Sequence, residues 1–280
     1  MLEVLLDASC LDNLLGKGRA VIRLRHGSPK LDEIGYGIDR SGHPVTVSAK
    51  RHTLVTGLTG SGKGSISAGW IVSQLPFILD GRVRLYYIDL KNGMEAGMLN
   101  QSLIYRQAWN LSDTVKLLRE FDEEASRRQD AYRGKTREVT PDMEPRMLLI
   151  IDEAAELLSA SAENRKISAE AVSILESILR RGRSAGCVVL ALTQDPRVSS
   201  FPLRPRFPQR MALRLNDESE ARMALGDIAV EHGAAPWLIP ANQPGSCWFS
   251  DLDTGDVQFF RARFVSDEEL RDIGRTAADV

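Results

Sequence analysis

Cysteine is scarce in this chain, with three residues among 280. Cys10, Cys187 and Cys247 lie far apart, without the close spacing of a metal-binding motif or the dense framework of a small disulfide-stabilised protein. The scarcity therefore predicts reduced, buried thiols in a cytoplasmic protein.

An excess of charge of one sign is also missing, because 36 basic residues face 38 acidic ones and the formal net charge is −2. This balance excludes a generally basic coat for nucleic acid, although it leaves room for a local basic patch. No long hydrophobic run occurs either: the longest, AGWIVSQLPFIL, is too short to span a bilayer and contains Pro76. The acidic residues in the first segment, MLEVLLDASCLDNLLGKGR, do not fit a signal peptide. We expect a soluble cytoplasmic polypeptide, which a membrane-bound partner protein could still recruit.

Apolar segments alternate with amphipathic ones along most of the chain. VRLYYIDL, RMLLIIDE and CVVLALTQ are predicted to be strands, and helices are predicted between them. This order is typical of an α/β fold with a mostly parallel sheet and helices on both faces, and later segments such as GSCWFSD predict an antiparallel edge. We expect a small β-rich N-terminal extension over residues 1–48, the main α/β domain over 49–265 and a C-terminal helical tail over 266–280.

Single residues give further local predictions. Ser112 is predicted to cap the helix LSDTVKLLREFDEEASRRQDAYRG, with Gly134 at its end. The four histidines have no partners at metal-ligand spacing, so we expect turn or surface positions for them. Asp89 and Lys91 follow a predicted strand, where they fit either a position near a ligand or a helix cap and ion pair.

The segment HTLVTGLTGSGKGS, residues 52–65, resembles the phosphate-binding pattern G-x-x-x-x-G-K-[ST]. In such a loop, backbone N–H groups cradle phosphate oxygens at the start of a helix, and the lysine reaches the β and γ phosphates. Gly64 departs from the pattern because it stands where a hydroxyl normally binds Mg²⁺, and Ser65 follows one residue late. The alternative is an ordinary strand–turn–helix corner. The predicted nucleotide-binding residues are Gly57, Leu58, Thr59, Gly60, Ser61, Gly62, Lys63, Gly64 and Ser65.

Two further strand ends support a nucleotide site. MLLIIDE is an apolar strand that ends in two carboxylates, the Walker B arrangement. Asp152 is predicted to hold Mg²⁺ together with Ser65, and Glu153 is predicted to polarise the attacking water. CVVLALTQDP ends in Thr193 and Gln194, which are predicted to sense the γ-phosphate, although a simple turn would explain them equally.

These motifs together resemble the FtsK/SpoIIIE family of DNA translocases, and especially its short actinobacterial conjugation (Tra) members. The resemblance extends from IGYGIDRSGHPVTV to RMALRLNDESEARMALG and includes the ordered segments IDLKNGME, EEASRRQDAY, IIDEAAEL and GRSAGCVVLALTQDP. Several conjugation members are similar in having GKGS, so Gly64 is interpreted as a habit of that subfamily. Whether Ser65 or water replaces the missing hydroxyl stays open.

The resemblance implies a RecA-like P-loop ATPase that forms a hexameric ring, binds ATP and Mg²⁺ between subunits and pumps double-stranded DNA through its pore during conjugative transfer. An arginine from the next subunit would stabilise the transition state, with Arg183 preferred over Arg181, Arg210 and Arg214. Sequence-independent phosphate contacts are expected from two loops. The predicted DNA-binding residues are Arg165, Lys166, Arg197, Arg204 and Arg206.

Two other classes of function compete with a DNA motor. A coupling or scaffold module would bind ATP with little hydrolysis, and Gly64 motivates this alternative. A metabolite kinase or signalling GTPase is the third candidate, but the sequence shows neither a recognisable acceptor lid nor a GTPase base-specificity motif.

Overall fold

A computed structural model of the protein describes residues 29–158, 164–197 and 199–274. Its strands are β1 Glu33–Ile38, β2 Pro44–Ser48, β3 Thr53–Thr56, β4 Val83–Asp89, β5 Ile104–Ala108, β6 Arg146–Asp152, β7 Cys187–Thr193, β8 Gln209–Ala212, β9 Ser246–Asp251 and β10 Val257–Ala262. Its helices are α1 Lys63–Leu79, α2 Leu111–Tyr132, α3 Arg165–Arg181, α4 Glu218–Leu225, α5 Asp227–Glu231 and α6 Asp267–Asp272.

All ten strands form one sheet in the order β2-β1-β10-β9-β8-β3-β7-β6-β4-β5. The six strands from β8 to β5 run parallel, whereas β9, β10, β1 and β2 are joined in antiparallel pairs. This topology confirms the predicted α/β fold with a mostly parallel sheet and an antiparallel edge. β1 and β2, which lie in the predicted N-terminal extension, continue the same sheet through β10.

Alternate residues of the central strands enter two cores, one on each face of the sheet. Along β6, Leu148 and Ile150 pack in the core that includes Trp70 of α1. Met147, Leu149 and Ile151 pack on the opposite face with side chains from α2 and α3. Because both faces are covered, every residue of β6 is buried, and the strand is apolar between its first residue, Arg146, and its last, Asp152.

Several local predictions need correction. Asn110, not Ser112, caps α2, because its side chain accepts a hydrogen bond from the N–H of Asp113. β5 was not predicted, since three of its five residues are exposed at the sheet edge and its pattern lacks a buried apolar run. His52 is not on the surface: it is 5% exposed, and its Nδ1 accepts a hydrogen bond from the Val189 N–H at 3.0 Å.

Other predictions are confirmed within the described ranges. Gly134 lies just after α2 with φ 76°, as a helix stop requires. Cys187 and Cys247 are free and buried, while Cys10 lies outside the described residues. In the same ranges, none of the helices combines the length and the hydropathy that crossing a membrane would need.

Because the six strands from β8 to β5 are parallel, their carboxyl ends meet at one edge of the sheet. Thr56, Asp89, Asp152 and Thr193 end β3, β4, β6 and β7 at this edge. The topology therefore brings the predicted phosphate loop and both predicted polar strand ends together.

Candidate nucleotide-binding site

The phosphate loop connects β3 to α1 and is held by its neighbours. The Gly57 N–H donates to the Thr193 carbonyl at 3.1 Å, and the Leu58 N–H donates to the Arg214 carbonyl at 3.0 Å. Gly62 has φ 100°, and a Cβ there would lie 2.3 Å from the backbone nitrogen of Gly245. A side chain at Gly62 is therefore excluded both by conformation and by this backbone contact.

Lys63 closes the loop at the first position of α1. Its Nζ donates to the Gly57 carbonyl at 2.7 Å and to the Leu58 carbonyl at 3.4 Å. Burial lowers the pKa of Lys63, and the negative charge of Glu153 opposes that effect. The ammonium group therefore lies inside the loop, where it can exchange these carbonyls for phosphate oxygens.

Gly64 is not required by space or by backbone conformation. It has no positive φ, and a Cβ at this position would meet a single atom within 4 Å, Oε2 of Glu95 at 3.6 Å. Ser65, the predicted substitute hydroxyl, is half-buried one residue further along α1, and its N–H donates to the Gly62 carbonyl at 3.0 Å. The space beside residue 64 therefore faces a carboxylate from another loop.

Asp152 and Glu153 lie at the end of β6, as predicted, and both are buried. Burial raises the pKa of Asp152 to about 6, while the positive charge of Lys91 opposes the rise. Oδ2 of Asp152 is buried without a hydrogen-bond partner among the described residues, and the nearest cation, Lys91 Nζ, is 3.7 Å away. A buried carboxylate oxygen left without a donor fits a ligand of Mg²⁺, which prefers oxygen ligands.

The described protein side chains alone do not form a complete Mg²⁺ site. The described residues contain no group of three or more His, Cys, Asp or Glu side chains that could hold a metal ion alone. Mg²⁺ commonly binds through one or two carboxylates, water and the phosphates of a nucleotide. The donors present match that second mode, with Asp152 as the protein ligand that the geometry supports.

Gln194 links the strand ends to the phosphate loop. Its backbone N–H donates to Oε1 of Glu153 at 3.2 Å, and its Nε2 donates to Oε2 at 2.8 Å. Its own Oε1 accepts a hydrogen bond from the Thr59 hydroxyl at 2.7 Å. The predicted sensor, the predicted catalytic glutamate and the loop thus form one hydrogen-bonded chain.

The loop after β4 also enters the site. Asp89 is fully buried, and its carboxylate accepts backbone hydrogen bonds from Lys91, Glu95 and Ala96 at 2.9 to 3.1 Å. Lys91 Nζ lies 3.5 Å from Oε2 of Glu153. Lys91 therefore has the ion-pair role that the sequence left open, and it has that role at the nucleotide site. Glu95 was part of the motif IDLKNGME but was not assigned a role from sequence.

The four candidate trans-acting arginines differ in their surroundings. Arg181 pairs with Asp122 at 2.5 Å, and Arg210 is buried, with Nε donating to the Phe207 carbonyl at 3.3 Å. Burial lowers the pKa of Arg210 to about 10. Arg214 lies beside the phosphate loop of its own subunit, because its carbonyl accepts a hydrogen bond from the loop. Arg183 is exposed on the turn before β7 and makes no ion pair with any described residue.

The predicted DNA-binding residues are not all in loops. Arg165 and Lys166 are exposed at the start of α3, which corrects the predicted loop position; residues 159–163 lie outside the described ranges. Arg197 and Arg206 are exposed and pair with Asp195 and Glu176. Arg204 is partly buried and donates to the carbonyls of Pro196 and Met223, so its guanidinium stabilises the folded chain.

No protein-family model matches the chain. Among curated proteins, the protein Tra of Streptomyces lividans is 29% identical over 241 residues, which are 77% of this chain and 38% of Tra. The transfer protein TraSA of Streptomyces ambofaciens is 27% identical over 261 residues, covering 86% of this chain and 62% of TraSA. The DNA translocase FtsK of Corynebacterium efficiens is 25% identical over 275 residues, covering 87% of this chain and 27% of FtsK. The chain resembles FtsK-type translocases and Tra transfer proteins.

That resemblance has a limited extent. The chain spans 27% to 62% of the length of these three relatives. It therefore matches a part of each, and the activities of the whole relatives do not transfer with the similarity alone.

Solved structures support the fold. The conjugation coupling protein TcpA of pCW3, solved in monomer form with ATPγS, has a TM-score of 0.72 at 18% identity, covering 86% of this chain and 68% of TcpA. The cytoplasmic domain of the type VII secretion ATPase EccC of Thermomonospora curvata has a TM-score of 0.66 at 21% identity, covering 90% of this chain and 32% of EccC. At these identities the likeness shows the fold alone, and it agrees with the predicted α/β architecture of a mostly parallel sheet covered by helices.

Proposed function

We propose that this protein is an ATPase that moves double-stranded DNA during conjugative transfer. The observation that carries the proposal is the chain of hydrogen bonds from Thr59 through Gln194 to Glu153, next to Lys63 in its glycine loop. Such a chain couples occupation of the phosphate loop to the group that activates water. The similarity to Tra and FtsK supports DNA as the substrate.

In the proposed reaction, the backbone N–H groups between residues 59 and 64 that do not bond within the loop bind the ATP phosphates, and Lys63 turns from the Gly57 carbonyl toward the β and γ phosphates. When bound, Mg²⁺ would neutralise negative charge on the phosphates. Asp152 would hold this ion. Glu153 orients and polarises the attacking water, and Gln194 reports the γ-phosphate by moving between Thr59 and Glu153.

We further propose that the chain acts as a ring, the hexamer that the resemblance implies, with Arg183 reaching the nucleotide of the neighbouring subunit. Arg183 lies just before the start of β7, whereas the phosphate loop lies at the other end of the strands, where β3 and β7 both end. β7 has seven residues, so about 20 Å separate its two ends. Arg183 is thus too far from its own phosphate loop to serve it and is free to serve another.

DNA contacts are proposed for Arg165, Lys166, Arg197 and Arg206, which are exposed. Phosphate contacts by such residues would be independent of sequence and sensitive to salt. The proposed place of action is the cytoplasmic side of the cell envelope, reached through a membrane-bound partner protein.

A coupling module that binds ATP with little hydrolysis is the second candidate. The observation that favours it is that the Glu153 carboxylate is already bound: Gln194 donates to both of its oxygens, and Lys91 Nζ lies 3.5 Å from Oε2. A glutamate that stays in these contacts when ATP binds would not activate water.

ATP hydrolysis by wild type and by Lys63→Ala, with and without long double-stranded DNA across a salt series, tests the proposal. Lys116→Ala is the matched control, because Lys116 is an exposed lysine of α2 that pairs only with Asp113 among the described residues. DNA stimulation that falls with salt and disappears in Lys63→Ala alone would support a DNA motor. Tight ATP binding without turnover at any salt would favour the coupling module.

A further inference from the structure

The position that lacks a hydroxyl in the phosphate loop lies beside a carboxylate. A Cβ at Gly64 would meet Oε2 of Glu95 at 3.6 Å and no other atom within 4 Å. Glu95 is exposed, and its carboxylate makes no hydrogen bond or ion pair with any described residue. An oxygen that is free to bind a ligand thus lies next to the place where a serine or threonine hydroxyl would be.

Specific contacts fix the backbone of the loop that carries Glu95. The Asp89 carboxylate accepts hydrogen bonds from the N–H groups of Glu95 and Ala96 at 2.9 and 3.1 Å. Gly93, with φ 71°, packs so closely on the ring of Trp109 that a Cβ there would lie 2.6 Å from ring atoms. These contacts fix the backbone on both sides of the turn and hold the Glu95 backbone near α1.

A second, independent feature points to a cation in the same space. Asp152 is 7% exposed, and its Oδ2 is buried without a hydrogen-bond partner among the described residues. Asp89, whose carboxylate accepts the Glu95 N–H at 2.9 Å, is the register partner of Asp152 on the adjacent parallel strand, so the loop that carries Glu95 begins beside Asp152. A divalent cation between two carboxylates would neutralise their charges.

We propose that Glu95, together with Asp152, holds the divalent cation of the bound nucleotide, in place of the hydroxyl that Gly64 lacks. The inference rests on the nucleotide binding proposed above. Glu95 binds the ion through a carboxylate oxygen, directly or through one water, which are both common modes for Mg²⁺. Ser65 is then not needed as a metal ligand.

Replacing a neutral hydroxyl by a carboxylate has an electrostatic consequence. With the cation present, the extra negative charge strengthens cation binding; without it, the same charge repels the nucleotide phosphates. Glu95 therefore makes nucleotide binding more dependent on the divalent cation. A glutamate with a purely structural role would change nucleotide affinity in the same direction with and without the metal.

The test measures binding, not turnover. Affinity for a fluorescent ATP analogue is determined with Mg²⁺ and with EDTA, and Mn²⁺ binding to the protein–nucleotide complex is followed by electron paramagnetic resonance. The variants are Glu95→Gln and the double variant Glu95→Gln with Gly64→Ser. Glu231→Gln is the matched control, since Glu231 is an exposed glutamate at the end of α5, outside the site.

We expect Glu95→Gln to weaken Mn²⁺ binding about tenfold or more, as loss of a ligand or its supporting partner does. The same variant should bind the analogue more tightly than wild type in EDTA. Gly64→Ser should restore part of the Mn²⁺ affinity in the Glu95→Gln background, because the added Cβ meets only an ordinary contact.

Two results would overturn the inference while leaving nucleotide binding intact. One is Glu95→Gln with wild-type affinity for Mn²⁺, and the other is an equal loss of analogue affinity with Mg²⁺ and with EDTA. Wild-type protein that binds no analogue under any condition would overturn the proposed function and this inference with it.

Discussion

Gln194 holds the carboxylate of Glu153 with two hydrogen bonds, from its backbone N–H at 3.2 Å and from its Nε2 at 2.8 Å. Glu153 has φ 62°, a left-handed conformation that costs a non-glycine residue roughly 1–3 kcal/mol. The two hydrogen bonds offset part of that cost. The residue proposed to activate water is therefore in a strained backbone conformation. A change in nucleotide state that breaks the hydrogen bonds from Gln194 would let Glu153 move.

Glu153→Gln should separate binding from hydrolysis. The substitution keeps the size of the side chain but removes the negative charge that polarises water, so kcat should fall by about 10²- to 10⁴-fold. ATP affinity should stay close to that of wild type, because the phosphate loop and Lys63 are unchanged. Steady-state hydrolysis and equilibrium nucleotide binding check this, and an unchanged kcat would contradict the role of Glu153.

Thr59→Val and Gln194→Ala should not be additive. Each breaks the same hydrogen-bonded chain, since Thr59 donates to the Gln194 side chain at 2.7 Å and Gln194 donates to Glu153. In a double-mutant cycle on kcat, we expect a coupling free energy of about 0.5–3 kcal/mol. Additive effects would mean that the phosphate loop and Glu153 act independently.

Local sequence patterns predict much of the site, and the contacts between distant segments explain the rest. The glycine loop and the end of β6 are contiguous in sequence, and parallel strands bring their carboxyl ends to one edge. The position of Glu95 beside Gly64 depends on a loop whose shape is set by Asp89, so spacing alone does not reveal it. Arg204 was predicted to contact DNA because its segment is rich in arginine. The sequence does not reveal that its guanidinium donates to two backbone carbonyls of the fold.

Asp89→Asn should loosen the loop that carries Lys91 and Glu95. The fully buried Asp89 carboxylate accepts three backbone N–H groups, and an amide would turn a donor toward some of them. We expect a loss of about 1–3 kcal/mol in the free energy of unfolding, measured in urea. Asp267→Asn, in the exposed first turn of α6, is the control and should change stability far less. Equal stability of Asp89→Asn and wild type would contradict the proposed support of the loop.

Stability should fall as the pH falls below about 6.5, because His52 is buried as a neutral base. Burial lowers the pKa of His52 to about 4, and the positive charge of Arg183 adds to the decrease. The unfolded chain takes up the proton near pH 6.5, so it binds more protons than the folded chain between the two pKa values. This difference costs the folded state about 2 kcal/mol at pH 5.

His52→Asn isolates that contribution from the titration of carboxylates. The variant loses stability at every pH, because it alters the contact with the Val189 N–H. Its free energy of unfolding should nevertheless fall less than that of wild type between pH 7.5 and pH 5. Parallel pH profiles for the two proteins, measured by urea unfolding, would show that His52 does not titrate in this way.

Arg183→Ala and Lys63→Ala should each abolish hydrolysis alone and regain it when mixed. If Arg183 completes the site of a neighbouring subunit, a mixed ring contains interfaces with an intact phosphate loop from one variant and an intact arginine from the other. Arg183→Ala should lower kcat by about 10³-fold or more, as loss of a trans-acting arginine does. Arg180→Ala, an exposed arginine at the end of α3, should leave kcat near that of wild type. A mixture that stays inactive would argue against Arg183 and direct attention to Arg214, which adjoins its own phosphate loop and would act within one subunit.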